Sequence, residues 1–501
     1  MNNITIIKGQ GGLGRALPGE DHISGMLFFA SSLPTGFSSG DRIKKIFSIA
    51  DAVALGITNT SSDETKSTST CEITNIGANG DTITLTFVEP KSTITLGAYT
   101  KVAADTTVSL VATALKNAIN LLTPVHGYTA LSSLGTITIT ARPGLGVFPN
   151  TGSPLVKTIT GTITATLVQN VVPGVASLLD IYHYHINQFF RIQPKGILYV
   201  GFYTADYTFA PIQTIQNYAG GTIRQFGVYC NTHTFVTTDV TAIQTICDAL
   251  ALVHKPVSSV ILGGDISATT LAALTNLASL DSETVSVCIA QDGYGLGYDL
   301  WKAYTKSITA MGACLGAVAL AKVSEDIAWV GKFNMSNGTE FDTLAFATGE
   351  SFSTTSENQL TTLDTQRYIY MGKIIGVVGS FWNDSHTCTL QSSDYAYIEN
   401  NRVIDKAIRT AYASLIADMN SPLELNSDGT LQDTTIAYFE TKAGVGTEQM
   451  KRDTELSDAK WTVDPAQDVL TTGKVIVAGQ LLPIGVARQI EIKIGFTTSI
   501  Q

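Results

Sequence analysis

The chain has 501 residues, 44% hydrophobic and 15% charged, which is apolar matter enough for about three packed domains and too much for a disordered protein. Its formal net charge is −11 and it contains no Lys/Arg run, which argues against direct nucleic-acid binding but leaves room for a local basic patch facing an acidic protein partner. Six scattered cysteines (Cys71, Cys230, Cys247, Cys288, Cys314 and Cys388) include no CxxC pair and read as small buried hydrophobes of a reducing compartment, with neither a disulfide framework nor a metal site.

Residues 1–24 read as a Gly-rich arm with one short strand at Ile4–Ile7. No charged segment followed by a long apolar run marks a secretion signal, so a cytoplasmic product is expected. A core region opens over 25–60. Residues 58–70 are Ser/Thr-rich and poor in apolar side chains, the composition of a linker. Residues 71–169 then read as an inserted, β-rich α+β domain. Ile83, Leu85 and Phe87 alternate with threonines as a half-buried strand, and segments 135–141 and 158–167 alternate again. Between them a helix is predicted, capped at Asp105, with Val108, Val111, Leu115 and Ile119 inward.

The core resumes over 171–385. Val175, Leu178, Leu179, Tyr182, Ile186 and Phe189 share one helical face, and Ile197–Tyr203 follows as an uninterrupted apolar strand. Predicted helices at 209–219, 239–254 and 268–280 alternate with strands at 225–230, 257–262 and 284–290. Strands without polar alternation, each followed by a helix, point to an α/β fold with a mainly parallel sheet covered on both faces. A long helix is expected over 299–322, where Gly312, Ala313, Gly316 and Ala317 permit close helix packing. The apolar run from Ile308 to Ala321 is too short and too interrupted to span a bilayer, so no membrane insertion is expected. Residues 386–501 read as a second α/β unit with a helix at 400–418, strands at 434–440 and 474–478, and a terminal strand at 489–497. In that strand Ile490, Ile492, Ile494 and Phe496 alternate with Glu491, Lys493 and Gly495. An amphipathic strand of this kind needs a pairing partner.

Candidate chemistry is thin. Gly9-Gln10-Gly11-Gly12-Leu13-Gly14 matches G-x-G-x-x-G, but Pro18-Gly19 denies the helix that a dinucleotide site requires, so a flexible arm is favoured. Asp206, Asp265 and Asp292 each follow a predicted strand, the edge where α/β sheets bind ligands, and together would suit a divalent cation. Turn and cap roles fit them better, because no His, Lys or Arg accompanies them. His183 and His185 lie two apart on a predicted helix, which turns them away from each other and disfavours metal ligation. No GxSxG, HExxH or Walker sequence is present. Arg402, Asp405, Lys406 and Arg409 share a face of helix 400–418, with a solvated face as the default and partner binding as the sharper alternative.

Three stretches carry a resemblance. Ile6-Ile7-Lys8-Gly9-Gln10-Gly11-Gly12-Leu13-Gly14-Arg15 with Pro18-Gly19-Glu20-Asp21-His22-Ile23-Ser24-Gly25 resembles the start of tail sheath proteins from phages and prophages of Bacteroidetes-type hosts. Phe381-Trp382-Asn383-Asp384-Ser385-His386, followed by Tyr397-Ile398-Glu399-Asn400-Asn401-Arg402, is similar to the same family, as is Asp464-Pro465 with Leu481-Leu482-Pro483-Ile484-Gly485. The pattern runs in order along the chain except over 71–169, which resembles an accessory module of other phage structural proteins. The resemblance implies a contractile tail sheath subunit in a virion tail or injection particle, assembled in a bacterial cytoplasm, with no cofactor and no enzymatic activity. Its implied partners are further copies of itself, an inner tube protein, and baseplate and tail-terminator proteins. Strand contacts between subunits would fall on Ile4, Ile6, Ile490, Ile492, Ile494 and Phe496, and tube contacts on Arg402, Lys406 and Arg409. An α/β enzyme using Asp206, Asp265 and Asp292, or another phage structural protein, is the alternative.

Overall fold

The computed structural model describes residues 19–204 and 207–496. Ile4, Ile6, the glycine motif at 9–14 and Asp206 lie outside the described residues.

A seven-stranded sheet forms the centre. Its strands are β1 (Ile23–Phe29), β2 (Ile43–Ile46), β3 (Ile197–Tyr203), β4 (Gln225–Thr234), β5 (Ser259–Asp265), β6 (Val285–Cys288) and β7 (Tyr368–Ile369), in the spatial order β7-β6-β5-β4-β1-β3-β2. All neighbouring pairs are parallel except β3–β2, so one antiparallel edge strand closes an otherwise parallel sheet. Every residue of β1 is buried, because its two faces are covered. Met26 and Phe28 pack on the side of helices α1 (Leu178–Ile192) and α2 (Met311–Leu320), while Leu27 and Phe29 pack against Ile212 and Ile215 of the helix Pro211–Tyr218 and Val240 of α3 (Thr237–Leu252). The expected helix-covered, mainly parallel sheet is what the chain forms. Contact between α1 and α2 is close enough that a Cβ on Gly312 would lie 2.2 Å from the His185 carbonyl oxygen.

Several elements differ from expectation. The long helix over 299–322 is two helices, Leu296–Tyr304 and α2. They are separated where Thr305 takes φ +60° and Ser307 turns to bond Asp265. Over 268–280 only a short turn at Leu271–Ala273 is helical; Leu271, Leu274 and Leu277 reach the core from irregular chain. The segment expected as a strand at 434–440 starts the helix α5 (Asp433–Arg452). Its β-branched and aromatic residues suggest a strand, but Phe439, Ala443, Thr447 and Met450 recur at helical spacing and are its buried positions.

Residues 68–172 build two further sheets, one of four and one of three strands, around a hydrophobic cluster of their own. Thr107 caps their helix, Val108–Leu121, while Asp105 accepts a hydrogen bond from the Tyr99 hydroxyl. Acidic residues of the connecting segment tie this unit to the body. Asp63 accepts from Ser177 Oγ at the start of α1, and Glu64 accepts the N–H groups of Gly144 and Gly146 at 2.9 and 2.7 Å.

Beyond the body, α4 (Ile398–Leu415) packs through Val403 and Ala407 on Met450 of α5. A hairpin of β8 (Asp458–Val463) and β9 (Val477–Leu482) follows, replacing the strand expected at 474–478. Residues 489–496 form no strand; they run outward without a ladder partner. The expected terminal strand is therefore absent among the described residues: 489–496 pair with none of the chain's own sheet edges. Among the described residues no helix is long and apolar enough to cross a membrane.

Candidate assembly site

Both ends of the described chain are tied to α4, by opposite charges. Arg402, Lys406 and Arg409 recur at three- and four-residue spacing and so share one side of that helix. This side is not presented outward as expected. Arg402 is only 2% exposed, and its guanidinium donates to the carbonyl oxygens of Ala321, Lys322 and Asp21 at 3.1, 3.1 and 3.2 Å. Lys406 Nζ sits 2.6 Å from one Asp21 carboxylate oxygen, and Arg409 Nη2 is 3.0 Å from the other. Lys406 also pairs with Glu455 at 2.7 Å, and Glu20 lies between Arg224 and Arg409. The physical reason for the correction is that α4 has two inner sides: its apolar residues meet α5, and its cations meet the segment leading into β1. Burial alone would raise the Asp21 pKa, but Lys406, Arg409 and Arg402 hold it below the ordinary carboxylate value.

The other end meets α4 at its first turn. The Arg488 Nε lies 3.1 and 3.2 Å from the two oxygens of Asp384. Its Nη2 donates to Glu399 and approaches Asp326 at 3.3 Å. The guanidinium carbon stands 3.5 Å from the centre of the Tyr397 ring. Burial would lower the Arg488 pKa, yet Glu399, Asp384 and Asp326 together raise it above its usual value. Asp326 is the strained member: burial and the neighbouring Glu399 and Asp384 push it up to about 8.

Over 489–496 the chain is bare. Ile490, Ile492, Ile494 and Phe496 are 80%, 76%, 91% and 111% exposed. The β8–β9 hairpin is a two-stranded sheet, so among the described residues both of its outer edges lack a ladder partner. Sequence reasoning missed Asp21, Asp326, Asp384, Glu399 and Arg488 as interacting groups. Asp21, Asp384 and Glu399 do stand in the stretches that carry the resemblance, but the groups that Asp21 and Glu399 meet are remote in sequence.

The strand-end aspartates are committed elsewhere. Asp265 accepts from Ser307 N and Oγ at 3.1 Å each and pairs with Lys306 at 2.9 Å. Burial would raise its pKa, and the bonds from Ser267, Lys306 and Ser307 bring it below the ordinary value. Asp292 ends a short strand outside the main sheet and accepts from the N–H groups of Tyr294 and Phe341 at 3.3 Å each. The two carboxylates serve different turns. Among the described residues no three His, Cys, Asp or Glu side chains are gathered to hold a metal ion. His185 is fully buried beside Phe28 and Tyr229, and burial pushes its pKa down to about 3.

Two family models match the chain, one described as the DUF2586 N-terminal domain over residues 1–386 and one as the DUF2586 C-terminal domain over residues 394–501. No curated protein matches it. Among solved structures, the chain is similar to one from the baseplate of the anti-feeding prophage, at 14% identity over 64% of this chain and 80% of that one, with a TM-score of 0.42. The same values describe its likeness to a chain of the sheath complex, in the contracted state, of the extracellular contractile injection system PVC. A sheath tail protein from Desulfitobacterium hafniense is 11% identical over 96% of this chain and all of that one, with a TM-score of 0.37. These are distant likenesses.

Proposed function

The chain belongs to the DUF2586 family, and from that footing we propose that it is the sheath subunit of a contractile tail or injection particle, polymerising through its terminal arms. The observation that carries this reading is the bare arm at 489–496. Its four large apolar side chains alternate as a half-buried strand does, yet they are exposed and its backbone has no ladder. A segment of this kind is completed by adding to a sheet edge, where main-chain hydrogen bonds give affinity and alternate side chains give register. The open β8–β9 hairpin of a second copy is a suitable acceptor. Donor and acceptor are then different surfaces, so the contact is head-to-tail and generates rings or open helices in place of closed dimers. A sleeve is a stack or helix of such contacts.

The resemblance noted in the sequence supplies the rest: a sleeve around an inner tube, contraction that drives the tube through an envelope, baseplate and tail-terminator partners, and residence in a particle assembled in the bacterial cytoplasm. In the same reading, 25–60 with 171–385 is the body, 71–169 a surface module, and 386–501 the unit that joins copies. A role in structure, with no chemistry of its own, fits Asp265 and Asp292, whose carboxylates hold turns. The test is a chain ending at Arg488. It is expected to remain a folded monomer that forms no sleeves in electron micrographs, while the full chain forms them. Normal tubes from the shortened chain would overturn the proposal.

A further inference from the structure

The three carboxylates around Arg488 come from separate parts of the chain: Asp326 follows α2, Asp384 follows the short strand Phe381–Trp382, and Glu399 opens α4. Their side chains are 6%, 14% and 3% exposed, and among the described residues Arg488 is the one cation in ion-pair contact with any of them. Buried acids of this kind are costly to hold ionised without a counter-ion. The shape of the seat selects the counter-ion. Nε addresses both oxygens of Asp384, Nη2 bridges Glu399 and Asp326, and the flat face lies on Tyr397. A planar guanidinium with several donors and a stacking face satisfies all four, and an ammonium does not. The chain makes its last ladder bonds at Leu482, and beyond the Arg488 contact Ile490, Ile492, Ile494 and Phe496 stand in solvent.

We propose that Asp326, Asp384, Glu399 and Tyr397 form a guanidinium receptor that holds Arg488 in its own subunit and so fixes where the C-terminal arm departs, exchange between copies beginning at Gln489. The seat stands on its geometry; the exchange between copies rests on the function proposed above. An arm that left from further back would take the guanidinium with it and leave three carboxylates facing one another. The receptor thus sets the point on the subunit from which the arm reaches toward a neighbour.

Hydrogen exchange on the full chain tests the receptor. In Arg488→Ala the amides of 396–402, which are bonded at Ala396, Ile398 and Asn401, are expected to exchange at least about tenfold faster, the equivalent of about 1.4 kcal/mol of local stability, with those of β1 unchanged. Millimolar ethylguanidinium is expected to restore protection at 396–402, and ethylammonium is not. Arg488→Lys, which keeps the charge, is expected to fold and to show the same faster exchange at 396–402 to a smaller degree. Wild-type exchange in both variants, or equal rescue by both cations, would overturn the receptor. If deletion of 489–501 abolishes sleeves while Arg488→Ala exchanges like wild type, the receptor fails and the function stands. Faster exchange in Arg488→Ala together with normal sleeves from the deleted chain means that the receptor stands and the proposed function fails.

Discussion

Strand β1 and the arm at 489–496 are similar in length and both rich in large apolar side chains, yet one is wholly enclosed and the other stands open to solvent. The seven residues of β1 are all buried, with parallel partners on both sides. Alternate residues of the arm are more than three-quarters exposed, with no partner on either side in the described chain. Their sequences already differ in the relevant way. Ile-Ser-Gly-Met-Leu-Phe-Phe is apolar on both faces toward its end, as a strand between two helix layers must be. Gln-Ile-Glu-Ile-Lys-Ile-Gly-Phe is apolar on one face only, as befits a strand laid over a surface. The first contributes to the stability of the monomer and the second to that of whatever the monomer builds.

Substitutions can break this comparison, and the largest effect is expected at the centre. Phe28 is fully buried against Tyr182 and Phe202. Phe28→Ala is expected to destabilise the monomer by about 3–5 kcal/mol, read from the denaturant midpoint. Next is Gly312→Ala, whose new Cβ would meet backbone atoms of His185 at 2.2 and 2.8 Å; forcing α1 and α2 apart is expected to cost about 1–3 kcal/mol in the same measurement.

The charged anchors rank below. Asp21→Asn weakens charge-assisted bonds from Lys406 and Arg409 and is expected to cost about 1–2 kcal/mol. Because the folded-state pKa of Asp21 is lowered, its contribution is present above the ordinary carboxylate value and is lost as pH falls through the lowered one. Asp326 behaves in the opposite sense. Its folded-state pKa is raised to about 8, so the folded chain holds a proton that the unfolded chain releases near pH 4, and stability declines as pH rises from about 4 to about 8. Asp326→Asn is expected to flatten that slope in thermal melts across the range. The smallest effect on the monomer belongs to the arm: Ile492→Ala is expected to shift stability by less than about 0.5 kcal/mol while lowering the yield of assemblies seen in micrographs. A loss of monomer stability at Ile492 comparable to that at Phe28 would erase the distinction between the two regions.

The same contrast explains which parts of the fold are legible in the sequence. Segments whose partners are other large elements, such as Ile197–Tyr203 and Leu178–Ile192, announce themselves by period, because burial on a fixed face leaves a repeating mark. Residues 434–440 mislead because Thr, Ile, Tyr and Phe favour strands locally, and the deciding positions, Ala443, Thr447 and Met450, lie further along. At 299–322 the break depends on Asp265, far back in sequence, reaching Ser307. The cations of α4 are legible as a face, but their orientation is not, since a charged stripe is the same in sequence whether it meets water or buried acids. Asp21 and Glu455 are what turn it inward.

Helix α4 holds the first turn of one anchor and the middle of the other. Glu399 and Lys406 are about 10 Å apart along its axis at about 1.5 Å per residue. Tension arriving through one terminus and leaving through the other would therefore run across roughly two turns of a single helix. The unit at 68–172 supplies no residue to either anchor and lies off that line of force. In a string of such subunits the thread under tension would be short and nearly inextensible, and the body, joined to it through Arg402, Arg224 and Asp326, would follow it as one piece.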